Sequence, residues 1–292
     1  MGYFICFGEV LWDVFPNEIK IGGAPLNVAF RLKTFNNNVA IISAVGKDVL
    51  GEKLIQYLND NLINTEFIQK LDDFQTGQVN VCLDKDGSAT YEIQHPVAWD
   101  HIQMNKEVLA QVERSRVFVF GSLACRNSVS KSTLFELLKV ANFKVFDVNL
   151  RPPYFSQEIL SELMSRATFI KFNEEELELI AKDLGSKFTL VEDNMTFISN
   201  SYDAKYICVT RGGDGAILLI EEDFYYNSGY KIIVKDTVGA GDSFLATLIN
   251  NLLSDMEPQT ALDHACAFGT LVAGSDGANP VILESDIIDL MK

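Results

Sequence analysis

The sequence predicts an α/β fold with a central, mostly parallel sheet flanked by helices. Short apolar runs recur along the chain, each runs into a polar or glycine-containing step, and helical patterns lie between them. Ligands of such sheets bind beyond the carboxyl ends of the strands, so these polar steps mark the expected working edge.

Taken in order, Tyr3 to Phe7 runs into Gly8-Glu9, Val39 to Val45 into Gly46-Lys47-Asp48, and Val117 to Phe120 into Gly121-Ser122. Val145-Phe146 precedes Asp147-Val148-Asn149, Phe169 to Phe172 precedes Asn173, and Tyr206 to Val209 precedes Thr210-Arg211-Gly212-Gly213. Apolar residues return at helical spacing over Leu26 to Phe35, Leu50 to Asn61, Lys131 to Ala141 and Glu174 to Leu184, which predicts the covering helices. Thr76 to Ile93 breaks the alternation. Gln78 to Leu83, the turn residues Asp84-Lys85-Asp86-Gly87 and Ser88 to Ile93 predict an antiparallel hairpin with no helix to cover it. With Leu11 to Ile21 it can form a small projecting sheet. One reading makes that sheet decorative. The other makes it a lid of about residues 11–21 and 74–97, inserted into a single domain of residues 1–292. A lid would close over a substrate and exclude water, or pair with a second subunit.

The 292 residues are 48% hydrophobic and 22% charged, enough for one large core. A formal net charge of −16 argues against nucleic acid or an anionic membrane as partner. An anionic ligand must then be held by local donors and metal. Cys6, Cys82, Cys125, Cys208 and Cys266 are scattered without a Cys-x-x-Cys pair, and read as buried, reduced thiols of a cytoplasmic protein. No apolar run is long enough to span a bilayer, and Met1 to Cys6 lacks a basic leader. His95, His101 and His264 lack zinc-site spacing and read as satisfied structural histidines.

Asp236-Thr237-Val238-Gly239-Ala240-Gly241-Asp242-Ser243-Phe244 carries the most chemistry. Apolar pairs from Phe244 to Leu253 place a helix start at about Asp242 or Ser243. Gly239, Ala240 and Gly241 then lie on its N-terminal approach, where small residues, unpaired amides and the helix dipole suit a phosphate group. Asp242 is a candidate general base beside that cradle. The same residues also make an N-cap and a turn with no ligand at all.

Other constellations have two readings each. Asn173-Glu174-Glu175-Glu176 has capping-box spacing, or Asn173 and Glu176 hold the water shell of Mg2+. Gly22-Gly23-Ala24-Pro25-Leu26-Asn27 is a loop with proline at the first helical position, or the glycines admit a sugar whose hydroxyls meet Asn27. Asp13 is a second hydroxyl partner, or a solvated loop residue. Alternation puts Asp147, Asn149 and Arg151 on one side, and Arg151 meets a phosphate or substrate, or forms a surface salt bridge. Thr210 to Gly215 is a hairpin turn or a nucleotide contact. A Walker loop, a Rossmann fingerprint and the protein-kinase signatures are absent.

In their order and spacing, five groups of residues resemble the ribokinase-like (PfkB) carbohydrate kinases over essentially the whole chain. They are Gly8-Glu9, Gly22-Gly23-Ala24-Pro25-x-Asn27-Val28-Ala29, Val45-Gly46-x-Asp48-x-x-Gly51, Asn173-x-x-Glu176 and Asp236-Thr237-x-Gly239-Ala240-Gly241-Asp242. Within that family the wording is most similar to the fructokinases. The likeness runs through Gly8 to Asp13, Tyr91-Glu92-Ile93 with Ala98-Trp99-Asp100, and Asp147-x-Asn149-Leu150-Arg151-Pro152.

The resemblance implies a ribokinase-like fold and an enzyme that moves the γ-phosphoryl group of ATP to D-fructose. The alternative acceptor is 2-keto-3-deoxygluconate, with Arg151 as its cationic partner, or another sugar taken by kinases of the same family, and the alternative class is a catalytically silent sugar or nucleotide sensor. Asp242 would take the proton of the sugar hydroxyl, and the amides of Gly239, Ala240, Gly241 and Asp242 would hold the phosphoryl charge. Asn173 and Glu176 would position Mg2+ through water. Loops at Thr210 to Gly215 and Gly269 to Asn279 would frame the nucleotide, with Thr210, Gly212, Gly215, Asn173 and Asn279 as contacts. Asp13, Gly22, Gly23, Asn27, Asn149 and Arg151 would meet the sugar. Asp236 and the carbonyls of Val238 and Gly277 match a monovalent-cation site, which adds K+ to ATP and Mg2+. A homodimer through the lid is compatible with the resemblance. Val148 stands where proline is common in the family, and Arg211 where an apolar residue is common. Arg211 brings positive charge to the nucleotide loop or pairs with Asp214.

Overall fold

The computed structural model describes residues 2–83 and 89–292. The turn expected at Asp84 to Gly87 and the thiol of Cys82 lie outside what is described. By internal contacts the chain forms two compact units, Met1–Asn142 and Phe143–Lys292.

The first unit runs β1 (Phe4–Phe7), β2 (Leu11–Val14), β3 (Ile19–Gly22), α1 (Ala24–Thr34), β4 (Val39–Gly46), α2 (Val49–Asp60) and β5 (Ile68–Leu71). It continues with β6 (Gly77–Leu83), β7 (Ala89–Ile93), α3 (Lys106–Glu113), β8 (Val117–Gly121) and α4 (Ser128–Leu138). Its larger sheet is β8-β1-β4-β5, with all neighbours parallel. Every residue of β1 and β4 is buried, which is why these strands read as unbroken apolar runs. Ser43, in the middle of β4, is the polar exception. Its hydroxyl donates to the Gly8 carbonyl at 2.6 Å and so pins the exit of β1. At Gly8, φ is +139° and a Cβ would lie 3.0 Å from Pro25 Cγ, so glycine is what lets α1 pack there.

The strands β3-β2-β6-β7 form a second, four-stranded sheet. β2 pairs antiparallel with β3 and parallel with β6, and β6 with β7 makes the expected antiparallel hairpin. Trp12 Nε1 donates to the Leu50 carbonyl at 3.1 Å, which ties this sheet to α2. Asp48 caps α2 through the Gly51 amide at 2.8 Å, and also accepts from the Thr76 amide at 2.8 Å and the Thr76 hydroxyl at 2.7 Å. Burial pushes the Asp48 carboxyl up, but these hydrogen bonds outweigh it and hold its pKa below the usual value.

The base of the hairpin is fastened by a buried ion pair. Arg126 reaches Asp100 at 2.6 and 2.8 Å, and its guanidinium lies 3.8 Å from the centre of the Trp99 ring. Losing one partner would strand a buried charge, at about 3–5 kcal/mol. His101 is held by stacking rather than by full hydrogen bonding. Its ring stacks on Phe74 at 3.6 Å, and its Nε2 has no hydrogen-bond partner.

The second unit runs β9 (Lys144–Asp147), α5 (Gln157–Met164), β10 (Phe169–Asn173), α6 (Glu174–Asp183), α7 (Val191–Tyr202) and β11 (Tyr206–Thr210). After these come β12 (Ala216–Ile220), β13 (Asp223–Asn227), α8 (Ala240–Leu252), α9 (Pro258–Ala273) and α10 (Glu284–Leu290). β9, β10 and β11 are parallel neighbours, and β12 and β13 extend the sheet antiparallel. α9 comes close to the first turn of α8 at Gly269, where a Cβ would stand 3.2 Å from the Ala240 carbonyl. Cys6, Cys125, Cys208 and Cys266 are free and buried. Burial pushes the Cys208 thiol up, and the Cys266 thiol up to about 12. Among the described residues no helix is long and apolar enough to cross a membrane.

Candidate active site

In the second unit, α8 begins at Ala240, two or three residues before the start expected at Asp242 or Ser243. Gly239 is the reason. At φ 77° it enters the left-handed region as the N-cap, and its carbonyl already accepts the Ser243 amide at 2.8 Å. A Cβ on Gly239 would lie 2.6 Å from Ala278 Cβ, so a larger residue cannot take its place without moving that segment. Asp242 is therefore not the cap. It sits in the first helical turn, where the dipole favours its carboxylate. The Ala240 amide donates to the Thr237 carbonyl at 3.3 Å, while the Gly241 amide has no protein partner among the described residues.

Lys171 is the site residue that reading the sequence missed. It is the one charged residue in β10, between Ile170 and Phe172, and it is 7% exposed. Its Nζ lies 3.1 Å from Asp147 Oδ1, and a Cβ on Gly241 would stand 3.5 Å from the same Nζ. Burial works against the ammonium, but Asp147, Glu176 and Asp242 outweigh it and push the pKa up. The signal was available: a lysine inside a buried apolar run needs an anionic partner.

Asn173 and Glu176 make a reciprocal capping box, each side chain accepting the other's backbone amide at 2.8 Å. Glu176 Oε1 also accepts the Leu150 amide at 2.8 Å. Both oxygens of this buried carboxylate thus hold main chain. Burial pushes the Glu176 pKa up, against the pull of Lys171. Asp147 Oδ2 is buried without a hydrogen-bond partner, an orphaned oxygen in the same charge cluster.

The alternation expected for Asp147, Asn149 and Arg151 does not hold. β9 ends at Asp147 and Asn149 turns the chain at φ 39°, so Asp147 is buried against Lys171 while Arg151 is exposed. Arg151 Nη1 donates to the neighbouring Leu150 carbonyl at 3.0 Å, and among the described residues no carboxylate forms an ion pair with it. The Val148 amide donates to the Lys171 carbonyl at 3.0 Å, a bond that proline cannot make.

Thr210 pairs in register with Asn173 across β11 and β10, which brings those two expected nucleotide residues together. The turn after Thr210 is the expected hairpin, with a 3₁₀ turn at Gly212–Asp214. Gly215, at φ 81°, packs its backbone against the Asn227 carbonyl too closely for any Cβ. Arg211 pairs with Glu174 at 3.3 Å rather than with Asp214. Of the loop expected from Gly269 to Asn279, the first part is helical, since α9 runs on to Ala273. Apolar packing on α8 extends that helix past its glycine. Asp236 Oδ1 accepts the Val238 amide at 3.0 Å, and Gly277, at φ 75°, has open space where a Cβ would stand.

In the first unit, Asp13 lies on β2 opposite Lys20 of β3, not in a loop. Its carboxylate sits against Gly22, leaving no room for a side chain there. Gly23, at φ 113°, caps α1, and a Cβ on it would be 2.5 Å from the Glu9 carbonyl oxygen. α1 starts at Ala24, so Pro25 is its second residue, not its first. The Asn27 amide donates to the Gly23 carbonyl at 2.9 Å. Asp13, Gly22, Gly23 and Asn27 thus share one hairpin-to-helix corner, and the glycines give room to the protein's own atoms.

Residues 4–285 match the family described as pfkB family carbohydrate kinase. A fructokinase of Salmonella typhimurium is 28% identical over 293 residues, which cover 93% of this chain and 93% of that protein. A putative sugar kinase of Pyrococcus horikoshii is 31% identical over 252 residues, covering 83% of this chain and 76% of its own. Among solved structures, the fructokinase of Vibrio cholerae O395 in a fructose-, ADP- and calcium-bound form has a TM-score of 0.85. At 23% identity over 100% of this chain and 99% of that one, it supports the ribokinase-like fold alone.

Proposed function

Because the chain belongs to the pfkB family of carbohydrate kinases, we propose that it transfers the γ-phosphoryl group of ATP to D-fructose, giving fructose 6-phosphate and ADP. The observation that carries the chemistry is Asp242 in the first turn of α8, next to the open amide of Gly241 and the left-handed Gly239. The fructokinases among the relatives support the choice of sugar.

Phosphoryl transfer asks little covalent chemistry of a protein, so positioning and charge carry most of it. In this reading Asp242 accepts the proton of the attacking hydroxyl. Gly239, Gly241 and Asp242 direct their amides at the transferring group while the Ala240 amide holds the Thr237 carbonyl, and Thr210, Gly212, Gly215 and Asn279 hold the nucleotide. Asp13, Gly22, Gly23, Asn27, Asn149 and Arg151 hold the sugar. Bound Mg2+ would neutralise phosphate charge. Asn173, Glu176 and the orphaned Asp147 oxygen are a hard-oxygen set suited to its water shell. Asp236 with the carbonyls of Val238 and Gly277 would take K+. Residues 1–292 act as one kinase domain, with residues 11–21 and 74–97 as its lid and a dimer formed through that sheet. The four free thiols suit the cytoplasm.

One observation favours a second acceptor. Arg151 is exposed and has no carboxylate partner among the described residues, which suits the anionic 2-keto-3-deoxygluconate. ADP release from the purified protein, across ketoses, aldoses, sugar acids and nucleosides with and without K+, decides between them. Fructose is expected to give the highest kcat/KM. Release only with the sugar acid would replace the substrate and leave the family intact, and the absence of ADP release with every acceptor would point to a silent sensor.

A further inference from the structure

We propose that Lys171 is a positioning residue for phosphoryl transfer, a fixed positive charge set behind the Gly241 step of the phosphate cradle and locked there by Asp147. The proposal rests on the reading of Gly239 to Asp242 as that cradle.

Geometry carries it. The ammonium is 3.1 Å from Asp147 Oδ1 and 3.5 Å from the place of a Gly241 Cβ, so it borders Gly241, whose amide has no protein partner among the described residues. The main chain of Lys171 is held as firmly as its side chain. Its carbonyl takes the Val148 amide at 3.0 Å, and in register it faces Asp147 on one side and Cys208 on the other. Side chain and backbone together fix the step that leads from β9 to Asn149.

Charge explains why a lysine is needed. Asp147, Glu176 and Asp242 all act on this ammonium. Without it, Asp147, Glu176 and Asp242 would leave this corner with negative charge alone, and Asp147 would be a buried charge with no cation. A buried ion pair kept only for stability can often be replaced by apolar residues. One set against the turn that binds a phosphoryl group places its positive charge where negative charge develops during transfer, which is where a preorganised charge has most effect.

The test uses full-length Lys171→Gln, which keeps a hydrogen-bond donor for Asp147 and removes the charge, beside Lys171→Arg, which keeps the charge. Thermal unfolding, kcat, sugar KM and the affinities for magnesium–ADP and magnesium–AMP-PNP are measured for each. For Lys171→Gln the expected result is cooperative unfolding, sugar KM within about threefold of wild type and kcat lower by about 100-fold to 1000-fold. Its affinity for AMP-PNP should fall at least about tenfold more than that for ADP, because only AMP-PNP fills the γ position. Lys171→Arg should retain the preference for AMP-PNP. A Lys171→Gln protein with kcat within about fivefold of wild type, or with ADP and AMP-PNP weakened equally, overturns the proposal. If Lys171→Gln fails to fold, a folded Lys171→Arg that has lost the AMP-PNP preference overturns it equally. Nucleotide binding needs no sugar, so a wrong acceptor would leave this readout unchanged. A wild type that binds ADP and AMP-PNP alike would instead remove the cradle reading, and the proposal with it.

Discussion

Asp242 shows how much depends on where one residue falls in a helix. As a cap it would spend its oxygens on backbone amides, but it falls in the first turn after Gly239, where the dipole stabilises its carboxylate and where the proposed function makes it the base. Asp242→Asn keeps the size of the side chain and removes its basicity. Turnover is expected to fall by about 10²–10⁴-fold, while calorimetry gives ATP and sugar affinities within a few fold of wild type. Near-normal turnover would remove Asp242 from the role of base. The motif was legible in the sequence because glycine spacing and apolar periodicity are local. The need of Lys171 for an anion could be read there too, but not its partner, because that carboxylate is 24 residues away and belongs to another strand.

At the scale of elements, two acidic side chains act as fasteners. Glu176 opens α6 and at the same time holds the turn after β9 through the Leu150 amide. In Glu176→Gln the amide nitrogen must face either the Leu150 or the Asn173 N–H. A loss of about 1–3 kcal/mol is expected in urea unfolding. Asp48 joins α2 to the segment before β6 through both donors of Thr76. Its folded pKa is depressed, so its contribution is present above the unfolded carboxylate pKa and is lost as pH falls through the folded pKa. Asp48→Asn should therefore lower stability by about 1–2 kcal/mol at neutral pH, with the gap to wild type closing in acid. A gap that stayed constant across the urea midpoints at falling pH would refute that account. The capping-box spacing of Asn173 and Glu176 could be read from the chain. Their tie to Leu150 could not, since it depends on β9 lying beside β10.

Across the whole molecule, the described thiols sit in β1, in the turn after β8, in β11 and in α9, all buried. A thiol-specific colour reagent should therefore find at most one reactive cysteine in the native protein and all five after unfolding in guanidinium. Two or more fast thiols in the native state would contradict the burial. The sequence by itself determined the alternation of strands and helices, the hairpin outside it, and the ordered motifs that mark a pfkB kinase. Each is written in local periodicity or in the spacing of a few adjacent residues. Only the tertiary structure decided that α8 begins at Ala240, because Gly239 is held against Ala278, and that Arg211 turns to Glu174. It alone gathered Lys171, Asp147, Glu176 and Asp242 into one charge cluster. The physical reason is the same throughout: burial and charge pairing are set by segments distant in the chain, and no local pattern carries their distances.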